Sequence, residues 1–172
     1  ALCNPGDEVI TFAPFFTEYR CWVEATGASL QVVPPRIPDF QIDTDVFEGM
    51  IRPKTKAVIV NTPNNPSGVV YSEETVQRVS EILRRKSEEY GAPIYLITDE
   101  PYREIVYDDI PVPYLTKYYE NTLVCYSYSK SLSLPGERIG YIVIPDRIAD
   151  HEHVGPAIAG AARELGYVCA AI

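Results

Sequence analysis

Short apolar runs, unbroken and not alternating, punctuate the chain: EVITF at 8–12, AVIV at 57–60, IYLIT at 94–98 and TLVCYS at 122–127. A strand that is apolar on both faces belongs to a sheet covered by helices on both sides, since each face needs a partner. Helical patterns lie between these runs. The clearest is SEETVQRVSEILRRKSEEYG at 72–91, where Val76, Val79, Ile82, Leu83 and Tyr90 share one face. Ser72 is placed to cap its start, Glu73 and Glu74 suit the first turn, and Gly91 suits the stop. Thr75 stands where a full capping box needs Glu or Gln. Glu81 and Arg85 are spaced to pair on the wet face. Residues 16–26 and 44–51 predict two further helices, the second shorter.

Strands that alternate with helices predict an α/β fold, three layers deep, with a mostly parallel sheet and right-handed crossovers. Prolines at 34, 35, 38, 111 and 113 mark loops. The stretch 146–172 has helical composition, which Gly155 and Pro156 are expected to break. At 172 residues and 46% hydrophobic content the chain suits one soluble domain with a core, or a piece of one. It opens on ALCNPGDEVI, with no charged-then-apolar leader, and nothing after the last helical stretch closes a domain, so both ends are expected to be cut.

Charge narrows the partners. The 24 acidic residues outnumber the 15 basic ones for a net −9, and the basic residues are scattered among acids. Nucleic acid and anionic membrane surfaces are therefore poor partners, since both need concentrated positive charge. The four cysteines, at 3, 21, 125 and 169, form no CxxC pair, and three lie in apolar or periodic stretches where a buried thiol packs as a small hydrophobe. They indicate a reducing, cytoplasmic compartment. No run approaches the roughly 20 apolar residues of a membrane span.

In an open parallel sheet, ligands bind beyond the carboxyl ends of the strands. Three such ends carry unusual chemistry: NTPNNPSG after AVIV, DEPY after IYLIT, and YSK after TLVCYS. Each has an ordinary reading taken singly. Asn64, Asn65, Pro66, Ser67 and Gly68 would serve any turn, and no Gly-Lys-Ser/Thr makes the loop a Walker-type phosphate loop. Asp99 could cap a helix over EPYREIVY, Tyr102 could be a rim tyrosine, Lys130 could be solvated, and Arg138 could tie down Glu137. Taken together they offer an amine for an aldehyde, a carboxylate for a ring cation, and a phenol and an amide for a ring hydroxyl. Arg138, with Ser127 and Ser129, offers donors for a phosphate. Those are the needs of pyridoxal 5′-phosphate, for which a lysine Schiff base and an acidic partner at the pyridine nitrogen are a known signature.

NTPNNPSG, DEPY and SYSKSLSLPGERIG, in that order and spacing, resemble the class I/II aminotransferases of the aspartate aminotransferase fold, the fold-type I pyridoxal-phosphate enzymes. The resemblance covers nearly the whole chain and implies most of their large cofactor-binding domain, with residues 146–172 leading toward a small domain. It implies that Lys130 holds the cofactor as a Schiff base and shuttles a proton, and that Asp99 keeps the pyridine nitrogen protonated. Tyr102 and Asn65 would hydrogen-bond the ring oxygen, and Asn65 would also approach the substrate carboxylate. Ser127 and Arg138, 11 residues apart, would bind the phosphate. In APFFTEY, Phe16 is the expected stacking aromatic, with Phe15 and Tyr19 as competitors.

Two family features have no counterpart here: a glycine-rich phosphate loop upstream of NPGDEVI and a carboxylate-gripping arginine in a small domain downstream. The piece is therefore expected to be catalytically silent, and the parent to be a homodimer that transfers an amino group from an α-amino acid to a 2-oxo acid. A carbon–sulfur β-lyase of the same fold is the alternative within enzymes. A cofactor-sensing domain of a transcription regulator is the alternative outside them.

Overall fold

The structure is a computed structural model and describes residues 1–166. One six-stranded sheet runs in the order β2-β1-β3-β4-β5-β6. Its strands are β1 Glu8–Phe12, β2 Ser29–Val33, β3 Thr55–Asn61, β4 Tyr95–Asp99, β5 Thr122–Ser127 and β6 Gly140–Val143. The pairings among β1 to β5 are parallel, and β6 returns antiparallel to β5. The helices are α1 Glu18–Glu24, α2 Thr44–Met50, α3 Glu73–Tyr90, α4 Tyr128–Ser131 and α5 His151–Glu164.

The double-sided burial expected from the unbroken runs is visible along β3. Val58 and Val60 join a cluster with Phe47 of α2 and Val76, Val79, Ile82 and Leu83 of α3. Ala57 and Ile59 join the opposite cluster, with Tyr19 of α1 and Val154 of α5. Alternate residues thus serve separate cores, which is why the run contains no polar position. Among the described residues, no helix is long and apolar enough to cross a membrane.

The clearest helix forms as expected and supplies its own correction. Ser72 Oγ accepts the Thr75 N–H at 3.1 Å, and Gly91 closes α3 in the left-handed region at φ 62°. The glutamate missing from the capping box is replaced from another part of the chain. Gln41 Oε1 accepts the Ser72 N–H at 3.0 Å and the Thr75 hydroxyl at 3.0 Å. Arg85 pairs with Glu48 of α2 at 2.7 Å, while Glu81 meets Arg78 instead. The segment after Asp99 forms turns, not a helix, so Asp99 ends β4 and caps nothing. Gly155 and Pro156 do not break α5, which runs on through both. The strands β2 and β6 escaped the sequence pattern because Gln31 interrupts the first and the second is an exposed edge. Cys21 is exposed, unlike the buried thiols expected of apolar stretches, and Cys3 and Cys125 are partly buried. Cys169 lies outside the described residues.

A buried ion pair shapes the loop beyond β4. Glu100 and Arg103 meet at 2.7 Å with side chains 4% and 11% exposed. Thr98 Oγ1 donates to the other Glu100 oxygen at 2.9 Å. The Arg103 guanidinium donates to the carbonyls of Val112 and Pro113 at 2.8 and 2.9 Å and covers the Tyr114 ring at 3.9 Å. Removing one partner leaves the other charge buried and unpaired, a costly state. Arg103→Met should therefore lower the unfolding free energy in urea by about 3 kcal/mol. Arg78→Ala, at an exposed pair, should change it by under about 0.5 kcal/mol. Equal effects of the two substitutions would contradict the role given to the buried pair.

Candidate active site

The register of three neighbouring strands brings their ends level. Asn61 of β3 pairs with Asp99 of β4, and Asp99 with Cys125 of β5. The three segments that follow therefore start side by side. Asn61, a buried residue, tightens this edge: its Nδ2 donates to the Asp99 carbonyl at 2.7 Å, and its Oδ1 accepts the Asn65 N–H at 2.6 Å. Sequence reasoning did not single out Asn61. The usable signal was a polar side chain directly after the apolar run AVIV, at the last position of β3.

The loop after β3 divides its asparagines between two tasks. Asn64 Oδ1 accepts from the Ser67 N–H at 3.1 Å and the Ser67 hydroxyl at 2.7 Å, an internal turn lock. Gly68 completes the turn at φ 74°, a conformation that glycine adopts without steric cost. Asn65 is left with its side chain beside the Tyr102 hydroxyl; burial raises that phenol's pKa, the Asp99 charge adds to the rise, and Asn65 only partly opposes it.

Asp99 is the electrostatic centre. Its Oδ2 accepts the Tyr19 hydroxyl at 2.5 Å. Burial raises its pKa and the neighbouring Glu100 carboxylate adds to this, while the Tyr19 hydrogen bond opposes both. Burial and the Asp99 charge push the Tyr19 phenol far above its ordinary range, so Tyr19 remains a donor. The same two causes push the Cys125 thiol up to about 12, which keeps it protonated and removes it as a nucleophile at neutral pH. Tyr19 entered the sequence reading only as a competitor of Phe16 for stacking. Its partner lies 80 residues away, and no local spacing announces such a contact.

Lys130 sits on α4, exposed, with Nζ 6.0 Å from the Tyr102 ring centroid. Ser127 caps the same turn: its Oγ accepts the Ser129 N–H at 3.2 Å and lies 2.9 Å from the Ser129 hydroxyl. Arg138 is exposed at φ 54° and donates to the Pro135 carbonyl at 3.0 Å, so it ties down a carbonyl and not the Glu137 carboxylate. Phe16 packs edge-on to Tyr19 and Trp22 at 5.7 and 5.9 Å. Asn65, Asp99, Tyr102 and Lys130 thus converge with Tyr19. Among the described residues, no hydrogen bond joins Ser127 or Ser129 to Arg138.

A cavity of about 590 Å³ borders Asn65 and Tyr102, with Val69, Val70 and Ile105 also in its wall, while Asp99 and Lys130 lie outside its lining. The convergent groups suit a planar cationic ring bearing a hydroxyl and an aldehyde. Asp99 keeps one oxygen that accepts no hydrogen bond among the described residues, Asn65 and Tyr102 offer an amide and a phenol, and Lys130 offers an amine. The donor set fits pyridoxal 5′-phosphate. Its phosphate would draw on Ser127, Ser129 and Arg138, whose hydroxyls and guanidinium now satisfy their own segment.

The chain is similar in sequence and in fold to known aminotransferases. The family model for aminotransferase class I and II matches residues 1–155. The aspartate aminotransferase of Thermotoga maritima is 33% identical over 152 residues, 87% of this chain and 39% of that protein. A probable N-acetyl-LL-diaminopimelate aminotransferase of Bacillus subtilis is 32% identical over 150 residues, 87% of this chain and 37% of its own. A solved aminotransferase structure from Eubacterium rectale superposes with a TM-score of 0.95 at 59% identity, covering 98% of this chain and 43% of that one. The chain thus spans about two fifths of the length of the relatives it matches. On these grounds the chain belongs to the class I and II aminotransferase family.

Proposed function

We propose that the protein serves a pyridoxal 5′-phosphate-dependent aminotransferase that moves the amino group of an α-amino acid to a 2-oxo acid. The observation that carries this reading is the convergence of an amine, a phenol, an amide and a half-buried carboxylate at the ends of three level parallel strands. When bound, the cofactor supplies an aldehyde that takes up amines and a cationic ring that stabilises negative charge at the substrate Cα.

In this reading each side chain has a stated task. Asp99 would hold the proton of the ring nitrogen, while Tyr19 orients its carboxylate by donating to Oδ2. Asn65 and Tyr102 would hold the ring oxygen, and Phe16 would supply the aromatic for the ring face. Ser127, Ser129 and Arg138 bind the phosphate, Arg138 by its planar fork. Lys130 Nζ is the amine that would hold the aldehyde carbon; once a substrate amino group has replaced it there, the freed amine would take and return the proton of the substrate Cα. Small-molecule amino and oxo acids are the partners, within a cytoplasmic homodimer of the full-length enzyme.

Borohydride reduction with pyridoxal 5′-phosphate tests the reading. Peptide mapping should find the reduced adduct on Lys130, and Lys130→Ala should abolish the visible absorbance that precedes reduction. An adduct on another lysine would overturn the assignment.

The Asp99 environment yields a pH prediction. Burial raises its pKa in the fold above that of the unfolded chain. Ionisation near neutral pH therefore disfavours the fold, and protonation in acid removes that cost. Asp99→Asn still accepts from Tyr19 and should unfold at higher urea than the parent at pH 7, with the gap closing as pH falls through the acid range. A destabilised Asp99→Asn at pH 7 would contradict this sign.

A further inference from the structure

The turn that carries Lys130 is too short to hold itself. Helix α4 has four residues and buries none of them, and an isolated turn of that length is unstable in water. Its backbone contacts are local or reach only toward β6: the Tyr128 N–H donates to the Ile139 carbonyl at 3.1 Å, and the Leu132 N–H donates back to Tyr128 at 3.3 Å. Neither reaches the loop beyond β4, where Tyr102 stands. Something else must keep the amine near that phenol.

Tyr126 makes the missing connection. Its hydroxyl lies 2.7 Å from Glu104 Oε2 and 2.7 Å from Ser131 Oγ. A phenol has one proton, and a carboxylate can only accept. Tyr126 therefore donates to Glu104 and accepts from the Ser131 hydroxyl. Glu104 is two residues beyond Tyr102, and Ser131 is next to Lys130. The ring that carries this hydroxyl is itself braced: it stacks on Tyr141, its register partner on β6, at 5.0 Å and 20°, and meets Tyr128 edge-on at 5.3 Å.

We propose that Tyr126 is a positioning residue: with Glu104 and Ser131 it forms a staple that fastens the lysine-bearing turn to the loop carrying Tyr102. The role of the positioned amine rests on the cofactor reading above, whereas the staple is a property of the chain alone. Partial burial and the Glu104 carboxylate raise the Tyr126 pKa, so the phenol keeps its donor proton through the neutral range. The aromatic brace remains in Tyr126→Phe, which removes only the hydroxyl.

Two readouts test the staple on the intact protein. The first is amide hydrogen exchange without cofactor, at Leu132 and Ser133, whose N–H groups bond to Tyr128 and Lys130. Tyr126→Phe and Glu104→Ala should each speed exchange there about tenfold, the weight of one hydrogen bond to a charged group, and leave α3 unchanged. Glu104→Gln, whose amide oxygen still accepts, should restore near-parental exchange. The second is the rate at which pyridoxal 5′-phosphate becomes trapped on Lys130 by borohydride, which should fall about tenfold in Tyr126→Phe and in Glu104→Ala and stay near the parental rate in Glu104→Gln, following the exchange result. Unchanged exchange in Tyr126→Phe, or no rescue by Glu104→Gln, would overturn the staple. Failure of the parent protein to trap cofactor on Lys130 would overturn the cofactor reading instead, and the exchange comparison would still decide the staple.

Discussion

The level pairing of β3, β4 and β5 is the constraint on which the site depends. Asn61, Asp99 and Cys125 stand in one row across the sheet. Side chains alternate along a strand, so a slip of one residue would turn Asp99 to the opposite face and part it from Tyr19. The buried residues of the apolar runs resist such a slip, because Val58 and Val60 would exchange cores with Ala57 and Ile59. Asn61 adds a polar lock at the row itself, joining the Asn65 loop to the Asp99 backbone. Packing and hydrogen bonding thus select the same register.

Asp99 shows how the site strains against the fold that carries it. A half-buried carboxylate beside Glu100 is an unfavourable place for a charge, and only the Tyr19 hydrogen bond relieves it. The unmet attraction for a cation is what a protonated ring nitrogen would satisfy. Glu100 is differently placed. Arg103 neutralises it and uses its remaining donors to gather the 112–114 segment, so one of two adjacent carboxylates builds the loop while the other meets the Tyr19 hydroxyl.

Much of this was legible in the chain. The runs EVITF and TLVCYS coincide with β1 and β5, and the Ser72 and Gly91 caps bound α3 as their chemistry requires. Fully buried strands announce themselves because both faces must be apolar. An exposed edge such as β6 does not, since nothing demands apolar residues there. The rule for ligands at strand ends pointed to the segments holding Asn65, Asp99, Tyr102 and Lys130, but only on the condition that their strands are neighbours, and the adjacency of β3, β4 and β5 comes from the structure. What stayed hidden are contacts between distant segments: Gln41 completing the cap of α3, Glu48 taking Arg85, and Tyr19 reaching Asp99. Each depends on how helices settle against the sheet, which local periodicity does not encode.

The central claim is that the row at the ends of β3, β4 and β5 holds a protonated pyridine ring with Asp99 at its nitrogen. The most direct measurement is the ¹⁵N shift of ring-labelled pyridoxal 5′-phosphate bound to the protein. The account predicts a pyridinium shift at neutral pH that moves to the unprotonated range in Asp99→Ala. An unprotonated nitrogen in the parent protein, or a pyridinium shift indifferent to the loss of Asp99, would contradict it.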